Sequence, residues 1–158
     1  MTPRGFTLIE SLVALVVLSV GLLGAAATLL RSLGAHDEAL RRATALALAR
    51  DAADRIRANG LGRAAYDTRG SSIPGGDCAA SACDAATRAA LDREHFVSSA
   101  RAAFPFAETR AEIRFEPAIG PAATDRYEIT LRFPARSQPG AMDGVALAVA
   151  VYAPVAGA

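Results

Sequence analysis

The sequence predicts an α+β fold in which one long amino-terminal helix, embedded in membrane over its first half, packs its second half on a small antiparallel sheet. Three observations carry this. Phe6 to Leu30 is an apolar run of 25 residues interrupted by one charge, Glu10. Residues 31–58 then continue without proline and with apolar side chains at helical spacing. Two later segments, 109–116 and 126–133, alternate strictly between apolar and polar residues, the period of a half-buried strand.

The uncharged stretch Ser11 to Leu30 is 20 residues long, which as a helix spans about 30 Å, the thickness of a bilayer core. Arg4 precedes the apolar run and Arg31 follows it. A secretory signal peptide has a shorter apolar region with a small-residue cleavage site after it, and no such site stands out here. Hydropathy alone fits a plain membrane anchor equally well. Glu10 weighs against that reading, because a carboxylate deep in the apolar layer costs on the order of 2.5–3.5 kcal/mol and is a functional candidate by default. The alternative is that Glu10 lies near enough to the end of the run to reach the interface.

The string Gly5-Phe6-Thr7-Leu8-Ile9-Glu10-Ser11-Leu12-Val13-Ala14-Leu15 resembles the type III signal of type IV prepilins and pseudopilins. In that family a short basic leader ending in glycine is removed before an aromatic residue, and the apolar segment stays on the mature protein. The resemblance covers leader, cleavage pair and acidic position together. It implies that Gly5 ends the leader, residues 1–5, and that a membrane prepilin peptidase cuts there. It implies that the same enzyme N-methylates Phe6 and that Glu10 serves assembly by pairing with the Phe6 amine of a neighbouring subunit. Such a pair removes two charges at once where water is scarce. Many major pilins carry a helix-breaking proline in the second half of this segment; this chain has Gly21 and Gly24 there instead. The glycines permit local melting or close helix contact, or are simply tolerated in membrane, with a packing role slightly favoured.

The helix is expected to run on from the anchor (6–30) through an amphipathic continuation (31–59). From Phe6 to about Ala58 it would be roughly 80 Å long. Leu33, Leu40, Ala43, Ala47, Leu48 and Ile56 recur on one stripe that can face a partner. Asp37–Arg41, Glu38–Arg42 and Asp51–Arg55 are acid–arginine pairs four apart. Asn59-Gly60 is a helix stop. The stretch Ala47 to Asn59, above all Ala53-Asp54-Arg55-Ile56-Arg57-Ala58-Asn59, is similar to the region after the anchor in PilV-type minor pilins.

Residues 60–158 are read as a globular head. Gly60, Gly62, Gly70, Pro74, Gly75 and Gly76 mark 60–84 as loop. Cys78 and Cys83 lie in it, with no second cysteine or histidine pair near enough for a zinc site. In an oxidising compartment the simplest reading is a local disulfide; in the cytosol, two free thiols. Asp84 can cap a helix running to about Ala103, with Leu91, Val97, Ala100 and Phe104 partly in phase and Pro105 as its stop. Thr109–Glu116, Arg126–Phe133 and Val145–Tyr152 are the three expected strands, with turns at Gly120-Pro121 and Pro139-Gly140 making a meander. The resemblance implies the same α/β roll.

Little in the composition suggests catalysis. All 17 cations are arginine, which removes a P-loop, Schiff-base or general-base lysine. Arg69-Gly70-Ser71-Ser72-Ile73-Pro74-Gly75 lacks the spacing of a nucleophile elbow. His36 and His95 have no second ligand at helical spacing. Glu112, Glu116 and Glu128 alternate with arginines as a solvated sheet face. No catalytic residue, cofactor or metal is expected, and a net charge of +1 gives no footprint for nucleic acid.

The expectation is therefore a structural subunit: a minor pilin of a type IV pilus acting in assembly, initiation or the tip complex. Its partners would be other major and minor pilins, the prepilin peptidase and the inner-membrane assembly machinery. It would be a single-pass inner-membrane protein with its head in the periplasm, later part of the pilus on the cell surface. The alternatives are a type II secretion pseudopilin, and a pilin-like adhesin or DNA-uptake subunit displaying its loop.

Overall fold

The computed structural model describes residues 7–70, 78, 83–118, 124–135 and 140–152. The leader, the Gly5-Phe6 pair, the Ser71 to Asp77 stretch and the turn residues Gly120, Pro121 and Pro139 lie outside the described residues. In chain order the elements are helix α1 (Leu8–Ala58), a 3-10 segment (Gly60–Tyr66), helix α2 (Ala85–Ala103) and strands β1 (Arg110–Glu116), β2 (Thr124–Pro134) and β3 (Met142–Tyr152). The chain divides into two compact units, Met1–Ala39 and Leu40–Ala158.

In the first unit the described chain is the leading part of α1. It is long and apolar enough to cross a membrane, and none of its apolar window is buried within the chain. Its hydroxyls are satisfied on the helix itself: Ser19 donates to the Val16 carbonyl at 2.9 Å and Thr28 to the Ala25 carbonyl at 2.8 Å. That local satisfaction is what an apolar surrounding demands.

The second unit is built on an antiparallel sheet of order β1-β2-β3. Ile113 lies opposite Ile129 in the first ladder, and Leu131 opposite Val145 in the second. The alternation in the sequence maps onto the two faces: Ile113, Tyr127, Ile129, Leu131 and Phe133 are buried, while Arg110, Glu128 and Arg132 are exposed. β3 begins at Met142, three residues earlier than the apolar run suggests, because the register carries pairing back to Pro134.

The helix stripe differs from the sequence expectation. Ala45, Ala49, Ala52, Ala53 and Ile56 are the buried residues of α1, whereas Leu33, Leu40, Ala43 and Ala47 are exposed. The face turned to the sheet is the one with the smallest side chains, since methyl groups let helix and sheet approach closely. Helix α2 shows the same shift: Ala89, Ala90, Phe96 and Ala100 are buried, and Leu91 and Val97 only partly so. Asp84 caps it, its carboxylate accepting from the Thr87 amide at 2.7 Å. At its other end the Thr109 hydroxyl donates to the Phe104 carbonyl at 2.8 Å, satisfying a buried orphan acceptor just before Pro105. Part of the expected loop forms the 3-10 segment, in which a Cβ at Gly62 would collide with Tyr66, Ala89 and Asn59. Asp51 and Arg55 form their i,i+4 pair at 2.9 Å, while the Arg42 Nε reaches across to Asp143 at 2.7 Å.

Candidate functional site

The residues singled out for processing and assembly cluster at the amino terminus. Gly5 and Phe6 lie outside the described residues. Thr7 is the first described residue, and its carbonyl accepts from the amides of Glu10 at 3.1 Å and Ser11 at 3.3 Å, so the helix is under way by Leu8. Glu10 therefore sits in the first turn of α1 and is exposed. A carboxylate there complements the positive end of the helix dipole. Ser11 and then mostly apolar side chains follow it, and no described cation stands beside it. Further along, a Cβ added at Gly21 or Gly24 would meet nothing within 4 Å in the chain itself. Among the described residues, no contact requires either glycine.

In the second unit the described polar groups hold the fold together. Asn59 donates its side-chain amide to the Ala85 carbonyl at 2.8 Å and to the Tyr66 hydroxyl at 3.2 Å. Tyr66 in turn donates to the Asp92 carboxylate at 3.0 Å, and Arg55 reaches the other Asp92 oxygen at 3.1 Å. This clasp ties the end of α1, the 3-10 segment and α2 together. Burial, opposed by the Asn59 bond and reinforced by the Asp92 charge, pushes the Tyr66 phenol well above its ordinary range. Tyr127, buried beneath the Tyr66 and Phe115 rings, is pushed up to about 12, chiefly by burial. Both phenols stay neutral and structural at any physiological pH. None of this network is visible as a motif, because Asn59, Tyr66 and Asp92 meet only through tertiary folding; the Asn59-Gly60 helix stop was the one local signal.

Cys78 and Cys83 form a disulfide with their Cα atoms 5.3 Å apart. His36 is exposed, and His95 lies 3.9 Å from Asp51 on the surface. Among the described residues no group of three or more potential ligands could hold a metal ion. The solvent side of the sheet carries an open groove of about 350 Å³ lined by Arg110, Glu112, Arg114, Glu128, Thr130 and Arg132, with opposite charges interleaved. Arg114 and Glu128 face each other there at 3.9 Å. The arrangement neutralises itself rather than gathering one sign of charge.

Comparison with known proteins bears on both units. Residues 2–26 match the prokaryotic N-terminal methylation motif. Residues 27–94 match the family model of the type IV pilin Tt1218. No curated protein and no solved structure matches the chain. The first match contains Gly5, Phe6 and Glu10, and the second spans the rest of α1, the 3-10 segment, the disulfide and the start of α2. From residue 2 to residue 94, then, the chain is similar to a type IV pilin and carries the N-terminal methylation motif of such subunits.

Proposed function

We propose that the chain is a minor pilin of a type IV pilus, made as a precursor, trimmed after Gly5, N-methylated on Phe6 and drawn from the inner membrane into the filament. The observation that carries the subunit reading is the methylation-motif match over residues 2–26, which takes in the leading, exposed apolar part of α1. Residues 1–5 are the leader, 6–30 the membrane and filament-core helix, 31–59 its amphipathic continuation and 60–158 the head. The Cys78–Cys83 disulfide supports a head on the periplasmic side, where such bonds persist. Glu10 is proposed to neutralise the Phe6 amine of a neighbour, a role its exposure in the first turn of α1 supports. The choice of a minor pilin that primes assembly rests on the likeness of Ala53 to Asn59 to PilV-type subunits.

Mass spectrometry of the membrane fraction is the test of processing. The mature chain should begin at methylated Phe6, and Gly5→Asp should leave precursor only. Glu10→Ala should be cleaved normally yet enter filaments poorly. Deleting the gene should reduce surface piliation and twitching while secretion of folded exoproteins continues. A strain that twitches normally but retains exoproteins in its periplasm would instead identify a secretion pseudopilin.

A further inference from the structure

Three aromatic rings gather around one guanidinium in the second unit. The Arg41 Cζ lies 5.9 Å from the Phe104 ring centre, 5.2 Å from that of Phe106 and 5.7 Å from that of Phe133. Phe104 and Phe133 are buried and stacked, with centroids 4.2 Å apart, whereas Phe106 is 43% exposed. The rings attract the positive charge through their faces, yet they offer no lone pair to its N–H groups. Among the described residues no hydrogen bond or ion pair gives the half-buried Arg41 an acceptor. Arg41 also borders a cavity of about 400 Å³ whose other walls are Phe106, Pro134 and Ala135. Main-chain bonds fix those walls. The Phe106 amide donates to the Phe104 carbonyl at 2.8 Å, the Thr109 amide to the Phe106 carbonyl at 3.1 Å, and the Ala135 amide to the Ala141 carbonyl at 2.8 Å. The result is a preformed apolar cup with one cation in its wall and no carboxylate lining it.

We infer that this cup docks another pilin subunit, which inserts a single Asp or Glu flanked by apolar side chains. The inference rests on the minor-pilin reading above, in which the neighbours of this chain in a filament are other pilins. Charge and shape choose the occupant. One guanidinium is balanced by one negative charge, and its planar N–H fork matches the two oxygens of a carboxylate. Recognition of anionic lipid calls for a cluster of cations, and here Arg41 is the one cation lining the cavity. The walls of Phe106, Pro134 and Ala135 call for apolar groups beside the acid. Arginine and aromatic residues are also the types enriched at the anchor points of protein interfaces.

Two measurements on the full mature chain test this. In neutral detergent, with arginine labelled by heavy nitrogen, the Arg41 Nε–H resonance is assigned by its loss in Arg41→Lys. It should shift on adding 3-phenylpropionate and stay in place with 3-phenylpropanamide or with phosphatidylglycerol. In sheared filaments, a chain with p-benzoylphenylalanine in place of Phe106 should crosslink on irradiation to another pilin. Mass spectrometry should place the attached residue within three positions of an Asp or Glu. Arg41→Gln should cut the adduct per incorporated chain about tenfold, and Arg41→Lys, which keeps the charge without the fork, should cut it less. The resonance shift of the wild-type chain decides the matter of the cup even where Arg41→Gln folds poorly. The inference is overturned if the amide moves Arg41 as far as the carboxylate does, or if the lipid moves it. An adduct on lipid, on a second copy of this chain or away from any acid overturns it, as do incorporated chains that give no adduct. Absence of the chain from filaments would instead remove the pilin reading, while the Arg41 shift still reports on the cup.

Discussion

Arg63 holds the buried carboxylate of Asp125 through a 2.9 Å hydrogen bond from Nη2 to Oδ1 and a 2.9 Å ion-pair contact from Nε to Oδ2. Asp125 is 1% exposed and also accepts from the Ala118 amide at 2.9 Å. Arg63 holds this position from a left-handed backbone, φ 37°, the one described non-glycine residue with positive φ. That conformation costs on the order of 1–3 kcal/mol outside glycine, so the ion pair must offset it.

Arg63→Ala should therefore leave a stranded buried charge and lower unfolding free energy by about 3 kcal/mol. Arg63→Gly should be milder, because it loses the same pair but relieves the backbone. Denaturant titration of both variants in detergent checks the order; an Ala variant as stable as wild type would remove the ion pair from the account.

Asp67 gives a pH dependence with a definite sign. The Arg69 guanidinium first, then the Arg69 and Phe115 amides, hold its carboxyl down at about 2, against an opposing effect of burial. A carboxylate lowered in the folded state contributes stability that is complete above the ordinary value near 4 and is lost as pH falls towards 2. Solvent screening at the exposed Arg69 keeps the effect small. Thermal midpoints should fall between pH 4 and pH 2, and Asp67→Asn should flatten that fall while lowering the plateau at neutral pH.

Gly62 and Gly34 should respond to alanine in opposite ways. A Cβ at Gly62 would lie 2.7 Å from the Tyr66 ring and 2.8 Å from the Ala89 methyl. Gly62→Ala should cost about 1–3 kcal/mol by forcing the 3-10 segment away from α2. Gly34 lies inside α1 with nothing within 4 Å, so Gly34→Ala should raise helix stability by up to about 1 kcal/mol. Circular dichroism melts of the two variants give the comparison directly.

The disulfide closes a short loop, so its worth is modest. Replacing Cys78 and Cys83 together by serine should cost about 2 kcal/mol and expose residues 70–90 to limited proteolysis. Peptide mapping without reductant should link the two cysteines within one chain. Two alkylatable thiols in freshly isolated protein would contradict both the bond and the periplasmic head.

Period was the part of the fold most legible in the sequence. The switch from helical spacing to alternation located β1 and β2 to within two residues, and Asp84, Pro105 and Asn59-Gly60 located three helix ends. The buried faces of the helices were read in part: Ile56, Ala100 and Phe104 are buried as expected, but Leu33, Leu40, Leu91 and Val97 were given more weight than the alanines beside them. Leu40 and Leu91 looked like core residues, yet the sheet takes the alanine face, where close approach gains more than side-chain bulk. The cross-links Arg63–Asp125, Arg42–Asp143 and Asn59–Tyr66–Asp92 could not be read at all. Each joins residues whose neighbours carry no shared pattern, so only the folded chain brings them together. Glu10 was legible for the opposite reason: a single carboxylate in an apolar run needs no tertiary context to stand out.

The alanine seam also has a mechanical consequence. A subunit held by its helix is pulled along the helix axis, and the contacts from Ala45 to Ile56 resist that pull in shear over about 16 Å. Interlocking leucines would give way one ratchet step at a time. A smooth row of methyl groups offers no such steps, so slipping depends on what bolts the seam at its ends. Arg42 on Asp143 is the bolt at one end, and the Arg55, Asn59, Tyr66 and Asp92 clasp with the Ala85 carbonyl is the bolt at the other. Under load, the head should stay seated until the polar contacts at one end let go, and then slide as a unit.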